Sequence, residues 1–261
     1  MLSILAENRR KAVDRFVRSL VVLAFLLAIA PLISTLVTVI GKGAGSLSIP
    51  FITQVGGTVF DAKTLTVKTV VGALPAVVGT FEITGLAALM SVPIGILTAI
   101  YLTEYAQRGN WMARTVTFLV DVMTGIPSIV AGLFAFALAS IVVGPKAFSG
   151  FSASIALSVL MIPIVVRSCE EMLKLVPSEL REASFALGVS RFLTIWKVVL
   201  PTAIAGIVTG VMLAVARVIG ETAPIFIAAS FTNNFNGNPF NGPMETPVSY
   251  THLTLPTKRI V

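Results

Sequence analysis

Pro177-Ser178-Glu179-Leu180-Arg181-Glu182-Ala183-Ser184-Phe185-Ala186-Leu187-Gly188 is a polar stretch set between long apolar segments, and Val198-Val199-Leu200-Pro201 follows after nine intervening residues. Pro177 interrupts the preceding helix and offers Ser178 as an N-cap. Glu179 and Glu182 fall in the first turn, where the helix dipole favours acids. Leu180, Ala183, Ser184 and Leu187 share one face at helical spacing, and Gly188 supplies a C-terminal stop. Ser190 then caps a further helix expected to end before Pro201. A short helix with one small-residue face suits a groove on a partner. An amphipathic loop helix packed on its own bundle has the same local pattern.

The flanking segments set the class. Apolar residues make up 56% of the chain and charged residues 12%, about half the charged share of a soluble domain. The fold class is therefore all-α, a polytopic transmembrane helix bundle. Five apolar spans can be drawn: Leu20 to Ile40, within Val70–Tyr101, within Val116–Val143, Ser152 to Val166, and Ile204 to Ala229. A crossing takes about 20 helical residues, so the second and third are long enough to include an interfacial helix or a strong tilt. The runs are continuously apolar rather than alternating, which implies helices rather than a barrel. Cys169 is the single cysteine and His252 the single histidine, so neither a disulfide framework nor a metal cluster is encoded. No glycine-rich phosphate loop is present, and the chain is expected to bind no cofactor itself.

Orientation follows from lysine and arginine. Arg9, Arg10, Lys11, Arg15 and Arg18 precede the first span. Arg108 and Arg114 separate spans two and three, and Arg167, Lys174, Arg181, Arg191 and Lys197 separate four and five. Only Lys42, Lys63, Lys68 and Lys146 lie on the other side. The positive-inside rule puts the N-terminus and the polar loop in the cytoplasm. The net charge of +7 is thus read as membrane orientation, with no nucleic-acid partner. The basic start fits a signal peptide, but the apolar run is too long and carries Pro31, so an uncleaved first helix is expected. The loop from Gly41 to Thr69 is polar, glycine-bearing and external, with no separate domain.

Arg217 and Glu221 lie four residues apart in the fifth span, so they are expected on one helix face. A charge at membrane depth is costly and faces a bundle interior or an aqueous path. Arginine before glutamate is the weaker order for an intrahelical pair, which leaves the Arg217 fork of donors for a tetrahedral oxyanion. The alternative is a structural pair that locks the helix against its neighbour. Glu82 and Asp121 are read as interfacial carboxylates in preference to path-lining ones. Gly125, Pro127 and Gly132 suit a close helix contact or a broken helix. Phe134 and Phe136 are packing or lipid-facing residues, and the hydroxyls of Ser128 and Thr222 are packing or path-lining groups.

Glu182-Ala183-Ser184, then Gly188, then Val198-Val199-Leu200-Pro201 resembles the "EAA" loop of ABC importer permeases, departing at Ser184 and Val198. Ala216-Arg217-Val218-Ile219-Gly220-Glu221-Thr222-Ala223-Pro224 resembles the signature of PstA-type permeases of bacterial phosphate importers. Gly125-Ile126-Pro127-Ser128-Ile129-Val130-Ala131-Gly132-Leu133, Ile100-Tyr101-Leu102-Thr103-Glu104-Tyr105 and Glu170-Glu171-Met172-Leu173-Lys174-Leu175-Val176-Pro177 resemble further segments of that family. The sister PstC-type permeases share the Ile-Gly-Glu-Thr core but usually continue with Met instead of Ala-Pro. The resemblance implies a type I ABC importer permease (MetI-like) in a bacterial inner membrane. Its partners would be a PstC-like subunit, two PstB-like ATPase subunits and an external phosphate-binding protein, with ATP and Mg on the ATPases. Carried over, Arg217, Glu221 and Thr222 belong to the translocation path, and Glu182, Ala183, Ser184, Gly188, Leu200 and Pro201 to ATPase coupling.

The expected organisation is a basic cytoplasmic N-terminus at 1–19, a first transmembrane helix and external loop at 20–64, and a permease domain at 65–247 with the loop at 178–201. Residues 248–261 are too short and polar to cross, and read as a non-native tail that replaces a sixth span; His252, Lys258 and Arg259 then carry no function. Rival readings are a permease for molybdate, sulfate or phosphonate, an ion channel without an ATPase, and a membrane enzyme. The last lacks any visible nucleophile–base pair.

Overall fold

A computed structural model of the chain describes residues 2–46, 48–61, 66–106, 109–144, 147–230, 236–240 and 242–244. The tail at 248–261 and the domain limit expected at 64/65 lie outside the described residues. The chain divides into two compact units, Met1–Thr53 and Gln54–Val261.

The first unit consists of helix α1 (Leu2–Gly43), a tight turn at Ala44–Ser46 and the short helix α2 (Ile49–Thr53). Within α1, Val13–Gly43 is long and apolar enough to cross a membrane. It contains the expected span from Leu20 to Ile40. Ser19, Thr35 and Thr38 donate to carbonyls one turn back, at 2.9, 2.8 and 2.8 Å. These bonds satisfy the hydroxyls inside the helix, as a lipid environment requires.

The second unit opens with an antiparallel hairpin, β1 (Val55–Asp61) and β2 (Thr66–Ala73), with an irregularity between Val55 and Gly57. The sequence reading had only a polar loop here, because the glycines at 56 and 57 hide the β-branched pattern. Then follow α3 (Leu74–Ile100), a π-helical segment (Tyr101–Tyr105), α4 (Trp111–Thr124), α5 (Ser128–Val143), α6 (Gly150–Lys174), α7 (Ser178–Ala186), α8 (Arg191–Thr194), a second π segment (Ile195–Val199), α9 (Leu200–Ile219) and α10 (Ala223–Ala229). The second unit is a helical bundle whose long helices are apolar enough to cross a membrane, with the hairpin as its β element among the described residues.

Leu74–Tyr105, Gly150–Lys174 and Arg191–Ile219 are long and apolar enough to cross. The segment within Val116–Val143 is two helices bent by 108°, the broken helix that Gly125 and Pro127 suit. Gly125 caps α4 and Pro127 holds an extended backbone before α5, so the Gly-Ile-Pro sequence ends one helix and starts another. The fifth expected span, Ile204 to Ala229, is likewise divided: α9 stops at Ile219, and α10 begins at Ala223 with Pro224 in its first turn. In contrast, the helix expected to end before Pro201 runs on. Leu200 N–H bonds five residues back to Ile195, and this wider turn accommodates the ring of Pro201 within a continuous Arg191–Ile219 stretch.

Helix α6 is the centre of this unit, and α3, α4, α5, α9 and α10 all pack on it. Its N-terminal half buries Gly150, Ser152, Ala153, Ser154, Ala156 and Ser158, small residues that let backbones approach. Ser154 Oγ donates across to the Ile83 carbonyl of α3 at 3.0 Å as well as to Gly150 at 2.9 Å. Larger side chains (Leu157, Met161, Val165, Leu173) fill the core with Ile83, Ile195, Val199 and Val218.

Gly132 of α5 meets backbone rather than side chain. A Cβ there would lie 2.8 Å from Pro224 Cα and 3.2 Å from its carbonyl oxygen. A Cβ at Gly206 would meet mainly the flexible end of Met172. Gly132→Ala is therefore expected to cost about 1–3 kcal/mol through overpacking, while Gly206→Ala costs less because methionine repacks. Thermal unfolding of the two variants in detergent checks this. Equal melting temperatures would contradict the α5–α10 contact.

Candidate functional site

Two places hold most of the residues singled out in the sequence. The first is a cavity of about 210 Å³ where the two helix breaks face α6. Met123, Thr124 and Ile126 come from the α4–α5 break, and Ser128 from the first turn of α5. Leu160, Pro163 and Ile164 come from α6, and Arg217, Val218 and Glu221 from the end of α9. Each break leaves backbone groups to be satisfied outside a helix, which is tolerated at membrane depth only around a cavity or buried protein. Pro163 adds to this, since it cannot donate to the carbonyl one turn before it.

Arg217 and Glu221 both line this cavity, but not as a pair on one helix face. Glu221 lies past the helix end, its N–H bonded to Val218 O at 3.1 Å in a terminal turn closed by Gly220. No ion pair joins the two among the described residues, and Arg217 is exposed. The expectation of a shared face assumed that the helix continued through Gly220. Thr222 does not line the cavity; it is exposed at the start of α10, where its carbonyl accepts from Phe226 N–H at 3.0 Å.

Asp121 and Glu82 lie elsewhere. Asp121 accepts from Arg167 of α6, whose other terminal nitrogen donates to Glu170 at 2.8 Å; Lys174 completes the chain to Glu170 at 2.7 Å. Asp121 is thus bound into a surface network between α4 and α6. Glu82, in the third turn of α3, keeps one carboxylate oxygen buried without a hydrogen-bond partner among the described residues. Phe134 is exposed, whereas Phe136 stacks on Phe148 at 4.4 Å.

The second place is the polar loop. Helix α7 starts at Ser178, with Pro177 rather than Ser178 in the cap position and no side-chain cap. Its end follows the sequence logic closely. Gly188 has φ +76°, its N–H bonds to Phe185 O at 2.9 Å, and Val189 N–H bonds to Ser184 O at 3.2 Å. This is a Schellman close, and the left-handed backbone explains a glycine there. The single face expected for Leu180, Ala183, Ser184 and Leu187 is divided. Ser184 is buried and shares a 2.8 Å hydrogen bond with Thr194, whereas Leu187 is 82% exposed and Ala183 is also exposed. Glu182, Ala183, Phe185, Ala186 and Leu187 instead form an outward surface. Ser190 precedes α8 without a side-chain cap bond. Leu200 and Pro201 open α9 at the far end of the loop.

The sequence reading missed what holds the loop down. Glu104, at the end of the α3 π segment, is buried and ion-paired to Arg181 at 2.7 Å. The two residues are 77 positions apart, and no local pattern joins them.

The family model described as "Binding-protein-dependent transport system inner membrane component" matches residues 91–237. The chain is 42% identical over 236 residues to the "Phosphate transport system permease protein PstA 1" of Mycobacterium tuberculosis, covering 89% of this chain and 75% of that protein. It is 38% identical to the "Phosphate transport system permease protein PstA" of Haemophilus influenzae, covering 90% of this chain and 79% of the other. Among solved structures, an inward-facing form of the MetNI methionine ABC transporter aligns with 26% identity and a TM-score of 0.47, over 57% of this chain and 68% of that one.

Proposed function

The chain belongs to the family of binding-protein-dependent transport system inner membrane components, of the PstA type, and from that premise we propose that it is one permease subunit of an ATP-driven phosphate importer. The observation that carries the proposal is the cavity at the two helix breaks, with Arg217 exposed on its wall and unpaired among the described residues. At about 30 Å³ per water, its volume holds several waters or one tetrahedral oxyanion.

Arg217 offers a planar fork of donors to such an anion. The N-terminus of α5, with Ser128 on the cavity wall and no side-chain cap, adds the positive end of a helix dipole. Glu221, on the same cavity, opposes the anion and keeps it from binding too tightly to leave. The path is completed by a PstC-like subunit. Glu182, Ala183, Ser184, Gly188, Leu200 and Pro201 form the coupling loop. In our reading Glu182 and Ala183 meet the partner, Ser184 and Gly188 shape the helix, and Leu200 and Pro201 join the loop to α9. Two ATPase subunits dock there from the cytoplasm and hold ATP and Mg, while a phosphate-binding protein delivers substrate from outside. In this reading the basic N-terminal segment lies in the cytoplasm, which the lysine and arginine distribution supports.

The test is ATP-dependent phosphate uptake into proteoliposomes holding the four kinds of component, with molybdate and sulfate as competitors. Saturable uptake that an excess of either competitor leaves intact supports the proposal. Uptake of another oxyanion in preference discards phosphate and keeps the permease. Flux without the ATPase subunits would replace the pump with a channel.

A further inference from the structure

Resting on the docking of the 178–201 loop, we propose that Glu104 is a positioning residue, the joint through which that loop grips and displaces the end of α3. The carboxylate Oε1 of Glu104 accepts from Arg181 Nη2 at 2.7 Å and Nε at 3.2 Å. The two side chains are only 8% and 21% exposed. Arg181 also donates to the carbonyls of Val176 at 2.7 Å and Leu173 at 3.0 Å. Those carbonyls close the C-terminal end of α6, where a cation is favoured.

The other half of the loop takes hold of the same point. Arg191, the first residue of α8, donates to the backbone carbonyl of Glu104. Its guanidinium lies 5.4 Å from the centroid of the Tyr105 ring, within cation–π range. Arg181 and Arg191 flank the Gly188 turn, and the Ser184–Thr194 hydrogen bond ties α7 to α8 across it. The loop is thus one braced piece, held to the end of α3 by two arginines. A tilt of α7 carries Glu104 and Tyr105 with it.

The end of α3 has a backbone suited to such movement. Tyr101–Tyr105 is π-helical, with Ala106 N–H bonded five residues back to Tyr101 at 2.9 Å. A π turn holds one residue more than an α turn, so passing it along the helix shifts register without unwinding, and such turns concentrate at functional sites. Further along, α3 is keyed to α6 by Gly95, where a Cβ would lie 2.6 Å from Val165 Cγ1. Motion taken up at Glu104 therefore reaches the bundle as a whole-helix displacement.

The experiment uses the complete reconstituted transporter and reads ATP hydrolysis and oxyanion uptake together. For E104A, the ATPase subunits are expected to co-purify and ATP hydrolysis to stay within about twofold. Uptake per ATP falls roughly tenfold, the scale on which coupling responds to a single residue. The half-saturating oxyanion concentration stays unchanged, since the substrate cavity is untouched. E104D, which keeps the acceptor, recovers a large share of the ratio. Unchanged uptake per ATP in an assembled E104A transporter overturns the proposal. So does loss of assembly in both E104A and the isosteric E104Q, which would make the ion pair purely structural. Failure of the docking reading is distinguishable, because ATPase subunits would then be absent from the unsubstituted complex as well. If the transported oxyanion is not phosphate, the same ratio is read with the one that is.

Discussion

Arg217→Ala is expected to lower ATP-dependent phosphate uptake by roughly a hundredfold, the scale set by losing two charge-assisted hydrogen bonds. The side chain is exposed at the end of α9, lines the cavity at the two helix breaks, and has no ion pair among the described residues. Its removal therefore leaves no buried carboxylate unpaired, and thermal stability in detergent should change little. That separation decides between the two readings of this arginine. A structural lock would lose stability and uptake together, whereas a substrate group loses uptake alone. Arg217→Lys retains a point charge but not the planar fork, so it should keep part of the rate with a higher half-saturating concentration. Uptake at the unsubstituted rate in Arg217→Ala would end the assignment of the cavity as the phosphate path.

The membrane class, the central helices and the α7 stop at Gly188 were legible because each depends on local chemistry. Long apolar runs can only be helices in lipid. A glycine after a polar helix reads as a left-handed close, and Gly188 is one. The errors arose where local counting assumed continuity. A spacing of four puts Arg217 and Glu221 on one face, yet Gly220 followed by Pro224 carries the signals of a helix end and a new helix start. At Gly125 and Pro127 the same signals permit a break without enforcing one, and the chain bends there by 108°. Pro201 misled in the opposite direction. A π turn absorbs it, and hydrophobic periodicity cannot reveal an inserted residue of that kind. The Glu104–Arg181 pair was beyond reach for a different reason: it is a tertiary contact, and a single sequence holds no term that links positions so distant.

Glu182→Lys is expected to abolish ATP-driven uptake, by more than about a hundredfold, because like charges brought together at an interface cost several kcal/mol of association. Nothing within the chain opposes the change. Glu182 is exposed and makes no ion pair among the described residues, so the fold should tolerate the substitution as an ordinary surface change. Around it, Ala183 and Ala186 leave space, while Phe185 at 46% and Leu187 at 82% exposure present apolar surface that is not used internally. Such a face, with an acid beside small and apolar residues, suits a partner groove with a basic rim. The measurement is co-purification of the ATPase subunits, followed by uptake. The variant should lose both while remaining folded, and Glu182→Gln should lose less, with a weaker dependence of assembly on salt. Retention of the ATPase subunits with full uptake would remove Glu182 from the docking surface. The contrast with Glu104 then separates two steps of one process. On the proposed docking, a substitution on the outward face of α7 is expected to break the attachment itself, with hydrolysis and uptake lost together. A substitution at the inner joint is expected to leave the attachment and spare hydrolysis while uptake per ATP falls.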